Sequence, residues 1–98
     1  MKVRYSRRAL ADLVRIADYV RKHNPRAAAA LEKRIRSSIE QLHAFPLIGR
    51  PTDDPDMRMF PIMRYPYLVF YEVTDREIVV HHIRHARRKP LDPGAARS

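Results

Sequence analysis

The chain contains no cysteine. That excludes a disulfide framework, a thiolate metal site and a cysteine nucleophile. Its two glycines, Gly49 and Gly94, are too few for a glycine-rich phosphate loop. No Gly-x-Ser-x-Gly elbow occurs either: Ser6 reads as a helix cap, and Ser37 and Ser38 fall in mid-helix. No apolar run approaches the roughly 18 residues of a membrane span. Residues 1–5, Met-Lys-Val-Arg-Tyr, turn polar at once and lack the apolar stretch of a secretory signal. These absences lead us to expect a cytoplasmic domain with no membrane contact.

Basic side chains are abundant. The 98 residues carry 20 Lys and Arg against 11 Asp and Glu, a net charge of +9, with 45% hydrophobic residues. The excess is uneven: residues 1–36 hold eleven basic and three acidic side chains (Asp12, Asp18, Glu32), whereas residues 37–98 hold nine and eight. A field of that kind attracts polyanions or acidic proteins and speeds their encounter. The length suits one domain, which we place at residues 1–91, with a flexible tail over 92–98.

Hydrophobic periodicity supplies the elements. Val3 to Tyr5 reads as a short strand ending at Ser6, a good N-cap. A helix to about Lys22 follows, with Leu10, Leu13, Val14, Ala17 and Val20 on one stripe and Arg8, Asp12, Arg15, Tyr19 and Lys22 opposite. Asn24-Pro25 stops this helix and starts the next. The second helix runs to about His43, and its stripe is Ala28, Leu31, Ile35, Ile39 and Leu42. Five of the eight prolines (46, 51, 55, 61, 66) then rule out a continuing helix. Met57 to Met63 reads as a strand that Pro61 confines to an edge or to a distorted stretch. Tyr67 to Val73 is the strongest strand signal, Thr74 to Glu77 a turn, and Ile78 to Arg84 the last strand. The order β-α-α-β-β-β predicts an α+β domain, an antiparallel sheet with a helical hairpin packed on one face.

Candidate chemistry is sparse. His81, His82 and His85 cluster in sequence, but on a strand His81 and His85 lie about 13 Å apart and His82 points away, so they cannot chelate one ion. We expect no metal and no cofactor. Asp53, Asp54 and Asp56 read as a solvated loop. What remains is a basic set toward the end of the sheet: Arg58, Arg64, Arg84, His85, Arg87, Arg88 and Lys89. Arginines there suit phosphate or carboxylate, and His85 titrates near neutrality.

One resemblance spans roughly residues 2 to 90. It rests on Tyr5-Ser6 before a helix with Ala9, Asp12-Leu13, Ile16 and Tyr19, then Leu42, Phe45-Pro46 and Gly49-Arg50, then Tyr67, Phe70-Tyr71 and His85-Ala86-Arg87-Arg88. This order and spacing resembles the RelE/ParE superfamily of type II toxins. The resemblance implies a toxin neutralised by a cognate antitoxin and held with it in a hetero-oligomer. The superfamily's RNA-cleaving branch acts on messenger RNA in the ribosome, and some members carry an arginine entering the third strand and a His-Tyr pair closing the last. The corresponding positions here hold Leu68, Ala86 and Arg87, and none of the three can transfer a proton at neutral pH. His85 stands one place early. The His-x-x-Arg ending looks more like the ParE branch, whose members resemble non-enzymatic poisons of DNA gyrase. Under that reading Arg64, His85, Arg87 and Arg88 bind the target, and Leu10, Val14, Tyr19, Leu31 and Ile35 face the antitoxin. If the chain instead cleaves RNA on the ribosome, Arg58, Arg64 and His85 are the catalytic candidates.

Overall fold

The computed structural model describes residues 1–87. Arg88 and the tail expected over 92–98 lie outside the described residues. The elements are β1 (Lys2–Tyr5), α1 (Arg7–His23), α2 (Pro25–Glu40), a 3₁₀ turn (Gln41–His43), β2 (Arg50–Pro51), β3 (Arg58–Pro61), β4 (Tyr67–Val73) and β5 (Glu77–His85).

Local chemistry sets the helix limits. Ser6 Oγ accepts from Ala9 N at 3.0 Å, which caps α1. Arg21, Lys22 and His23 occupy its last turn, where cations suit the negative end of the helix. Asn24 closes one helix and opens the next: its N–H donates to Val20 O, and its Oδ1 accepts from Ala27 N. Pro25 then fills the first helical position, where a missing N–H costs nothing.

The five strands form one sheet in the order β1-β5-β4-β3-β2. The α+β architecture and the helical pair match the sequence expectation. The sheet itself is mixed, because β1 runs parallel to β5, with Lys2 opposite Glu77 and Tyr5 opposite Val80. The last strand thus inserts between the first and the fourth. A four-residue strand carries no signal of its pairing direction, and the two-residue β2 carries no periodicity at all. Pro61 sits beyond the reach of β2, which pairs only Met59 and Arg58 of β3, so its missing N–H interrupts no ladder on that side.

The core lies between the helices and one sheet face. It contains Leu13 of α1, Ile39 of α2, Leu42, Phe60, Ile62, Tyr67, Val69 and Tyr71, with Ile78, Val80 and Ile83 of β5. Two corrections follow. Leu31 and Ile35 are 2% and 1% exposed, so the α2 stripe is spent inside the chain's own core and these two residues offer no surface to an antitoxin. The buried face of α1 is Ala9, Asp12 and Leu13, flanked by Ile16 and Val20. It is rotated from the expected stripe, which leaves Leu10 and Val14 exposed.

Residues 44–49 carry the chain toward the far edge of the sheet, and Tyr71 braces them from beneath. Its hydroxyl accepts from Gly49 N at 2.8 Å and donates to Pro46 O at 2.9 Å. Burial pushes the Tyr71 hydroxyl above its ordinary pKa, so it stays neutral and fills both roles. Arg58 Nη1 adds a bond to Gly49 O at 2.6 Å. A Cβ on Gly49 would stand 2.7 Å from the Tyr71 ring and hydroxyl, so only glycine allows this close approach. Tyr71→Phe leaves Gly49 N–H and Pro46 C=O without their partner. It is expected to lower the unfolding free energy by about 1–3 kcal/mol in urea denaturation. A loss under about 0.5 kcal/mol, the size of an ordinary surface change, would show that the hydroxyl braces nothing.

Candidate functional site

The ladder between β4 and β5 contains one irregularity that shapes the site. Phe70 pairs with His82 and Tyr71 with Val80, so His81 is an extra residue bulged from β5. Beyond that point β5 has lost its other neighbour, since β1 ends opposite Val80. Helix α1 lies along the bare stretch instead. Ser6 N donates to Val80 O and Ser6 Oγ donates to His81 O. Six residues further on, Asp12 Oδ2 accepts from Ile83 N at 2.9 Å.

Asp12 is fully buried. An isolated carboxylate there would be costly, but three donors converge on it: Ile83 N, His82 Nδ1 at 2.8 Å, and Arg15, whose guanidinium bonds the second oxygen. With Nδ1 donating to Asp12, His82 presents Nε2 as the acceptor, 3.4 Å from Arg8 Nη2. Its ring stacks on Phe70, centroids 5.7 Å apart. Burial lowers the pKa of His82; the Asp12 hydrogen bond pulls it back up, and Arg8 and Arg84 push it down. The ring is therefore neutral at pH 7.

Between α1 and the second half of β5 runs an open groove of about 520 Å³. Arg8, Arg15, Lys22 and Arg84 supply positive charge around it, and Ile16, Tyr19, Tyr67 and Ile83 supply apolar wall. Asp18 also lines it but pairs with Arg21 at 2.7 Å. Such a groove suits an anionic ligand with a flat or apolar body.

The expected site residues divide. His85 reaches the groove, packs edge-on against Tyr67 at 5.3 Å, and accepts Arg87 N at Nδ1. Arg87 is exposed just past the strand, and Arg88 lies outside the described residues. Arg64, exposed and left-handed at φ 72, sits in the β3–β4 turn. That turn lies at the same end of the sheet, because Ala86 N donates to Pro66 O. Arg58 does not join them. Its guanidinium faces the carbonyls of Leu47 and Gly49, so the set of Arg58, Arg64 and His85 is not assembled. Tyr19 is exposed on α1 beside His23, centroids 4.9 Å apart. The three clustered histidines go to three partners: His81 to Glu72, His82 to Asp12, His85 to Tyr67.

Sequence reasoning missed Arg8, Asp12, Arg15 and His82 as a unit. The available signal was slight: Asp12 borders the arc of Ala9, Leu13, Ile16 and Val20 on the helix, so a carboxylate there stands at the rim of the buried face.

A family model described as ParE toxin of type II toxin–antitoxin system, parDE, matches residues 3–90. The chain is similar to toxin RelE2 of Caulobacter vibrioides, with 35% identity over 81 residues covering 83% of this chain and 90% of that protein. It is also similar to toxin Y4kP of Sinorhizobium fredii, with 30% identity over 88 residues covering 90% and 91%. Among solved structures, a chain of the chromosomal ParDE toxin–antitoxin system from P. aeruginosa superposes with a TM-score of 0.82. Identity there is 27%, covering 89% of this chain and 97% of that one.

The Asp12–His82 contact carries a pH signature. His82 titrates near 6.5 when unfolded and lower when folded, so between those values the unfolded chain binds more protons. Its contribution is complete above about pH 6.5 and is lost as the pH falls toward the folded pKa. His82→Asn keeps an N–H donor toward Asp12 without a titrating ring. In urea titrations from about pH 7.5 down to 5, the wild type should lose stability relative to this variant. Parallel curves would mean that His82 titrates alike in both states.

Proposed function

The chain belongs to the ParE toxin family of type II toxin–antitoxin systems, and from that membership we propose that it arrests growth by binding DNA gyrase in the cytoplasm until a cognate antitoxin covers it. The observation that carries this reading is the likeness to the ParDE chain over nearly its full length. The site chemistry supports it. The three positions where an RNA-cleaving relative carries its ionisable groups hold Leu68, Ala86 and Arg87, and His85 is engaged by Tyr67 and the Arg87 amide. Target contact is assigned to the sheet end, where Arg64, His85 and Arg87 gather, with Arg88 following in sequence. Antitoxin contact is assigned to the exposed α1 face of Leu10, Val14 and Tyr19. An acidic antitoxin would be steered there by the charge of residues 1–36, which sets the on-rate more than the affinity.

A second reading, cleavage of ribosome-bound message, is favoured by one observation. A buried carboxylate orienting a neutral histidine toward a cationic groove is the arrangement of a general base. His82→Asn separates the two readings, because asparagine keeps the bond to Asp12 and cannot take a proton.

Purified protein is expected to inhibit gyrase supercoiling, to leave message intact in a reconstituted translation reaction, and to keep its inhibition in His82→Asn. Codon-specific cleavage that disappears in His82→Asn would replace gyrase poisoning with RNA cleavage. Arg64→Ala combined with Arg87→Ala is expected to relieve toxicity with the melting temperature nearly unchanged, since exposed charges contribute within about 1 kcal/mol. Full toxicity in that double variant would remove the sheet end from the target interface.

A further inference from the structure

A second surface stands apart from both the groove and the sheet end. Ile48 N donates to Phe45 O at 3.1 Å, closing a tight turn with Pro46 and Leu47 inside it. Phe45, Leu47 and Ile48 are 62%, 64% and 52% exposed. Three large apolar side chains on one turn, each more than half in water, need an explanation beyond scattered surface hydrophobicity. They are also held still. Tyr71 bonds the backbone at Pro46 and Gly49, Arg58 bonds it at Gly49, and Phe45 N is tied back to Gln41 O. The turn is preorganised, so docking it costs little ordering entropy.

We propose that this turn is an apolar knob that anchors the chain in an acid-rimmed pocket of a folded target protein. Its shape selects the occupant. A protruding knob offers no groove for an amphipathic helix or an extended peptide, two common modes by which an unfolded segment is captured; the partner must bring its own pocket. Charge points the same way. The Met1 ammonium sits on the carbonyl of His43 at 3.3 Å, the Arg58 guanidinium sits on the carbonyls of Leu47 and Gly49, and the exposed Arg50 follows the turn in sequence. Glu40, paired with His43 at 3.0 Å, is the acid among these contacts, so an acidic rim is the complement. A second copy of this chain does not fit. Three side chains present a few hundred Å² where a stable dimer buries about 800 Å² per partner, and two chains of charge +9 repel.

The proposal rests on the reading that the target is DNA gyrase, and the test separates the two. Gyrase binding and supercoiling inhibition are measured for the wild type, Leu47→Asp, Ile48→Ser and Val14→Asp, alongside affinity for the cognate antitoxin and urea stability. Leu47 and Ile48 are exposed, so both variants should fold as the wild type does. The expected result is a loss of gyrase affinity of about tenfold or more in Leu47→Asp and Ile48→Ser, with antitoxin affinity kept. Val14→Asp should show the reverse. Wild-type gyrase binding with undiminished Leu47→Asp binding overturns the knob alone. Loss of antitoxin affinity in Leu47→Asp assigns the turn to the antitoxin and overturns the folded-target occupant. Self-association of the wild type abolished by Leu47→Asp assigns it to a second copy. A wild type that neither binds nor inhibits gyrase sinks the target reading, and this occupant with it.

Discussion

The buried carboxylate of Asp12 is the interaction on which the architecture turns. Without it, the Ile83 amide on β5 beyond Val80 would have no partner on α1, and the helix would be held to that edge only by Ser6 and by apolar packing. Unpaired, a charge in that position costs several kcal/mol; with Ile83 N, His82 and Arg15 on it, the cost becomes a requirement for one arrangement. Burial of this kind defines geometry more than it adds stability. It fixes the rotation of α1, the ring orientation of His82 and the direction of Arg15 together. The bulge at His81 sets Ile83 on the helix-covered face with Val80 and places His82 beside Phe70, from where its Nδ1 reaches Asp12.

Tyr71 plays a comparable part at the other side of the core. Its ring fills space against Phe60, centroids 5.7 Å apart and edge-on, while its hydroxyl organises a stretch of chain with no regular structure. One side chain thus packs the interior and shapes an exterior turn. Asp12 and Tyr71 share a logic: a polar group taken from solvent is satisfied by backbone from a remote segment, and the remote segment becomes rigid in consequence.

Much of the fold was legible in the sequence. Ser6 and Asn24-Pro25 marked the helix boundaries because capping is local chemistry. Tyr67 to Val73 announced itself because a strand with both faces partly covered is apolar along its length. The parallel pairing of β1 was hidden, since it depends on where the chain returns after two helices. The burial of Asp12 was hidden for a related reason: two of its three donors, His82 and Ile83 N, lie about 70 residues away on β5, and a helical wheel sees only the helix. Leu31 and Ile35 looked equally suited to a partner or to the core, and periodicity alone does not distinguish the two. His85 and Arg64 were correctly placed at one end of the sheet, whereas Arg58 resembled them in sequence and turned out to brace a loop.

The parallel seam between β1 and β5 also orders events in time. β1 leaves the ribosome before the helices and pairs with β5, about 75 residues later, and at synthesis rates of roughly 5–20 residues per second that wait is about 4–15 s. During it Val3 and Tyr5 have no sheet to join, Ser6 has no His81 carbonyl, and Asp12 has none of its donors on β5. The nascent chain carries its charge from the start but not its shape. The groove comes into being only when β5 does, so an incomplete chain is inert at that surface, and a partner that recognises the groove meets it only on a chain whose last strand is in place.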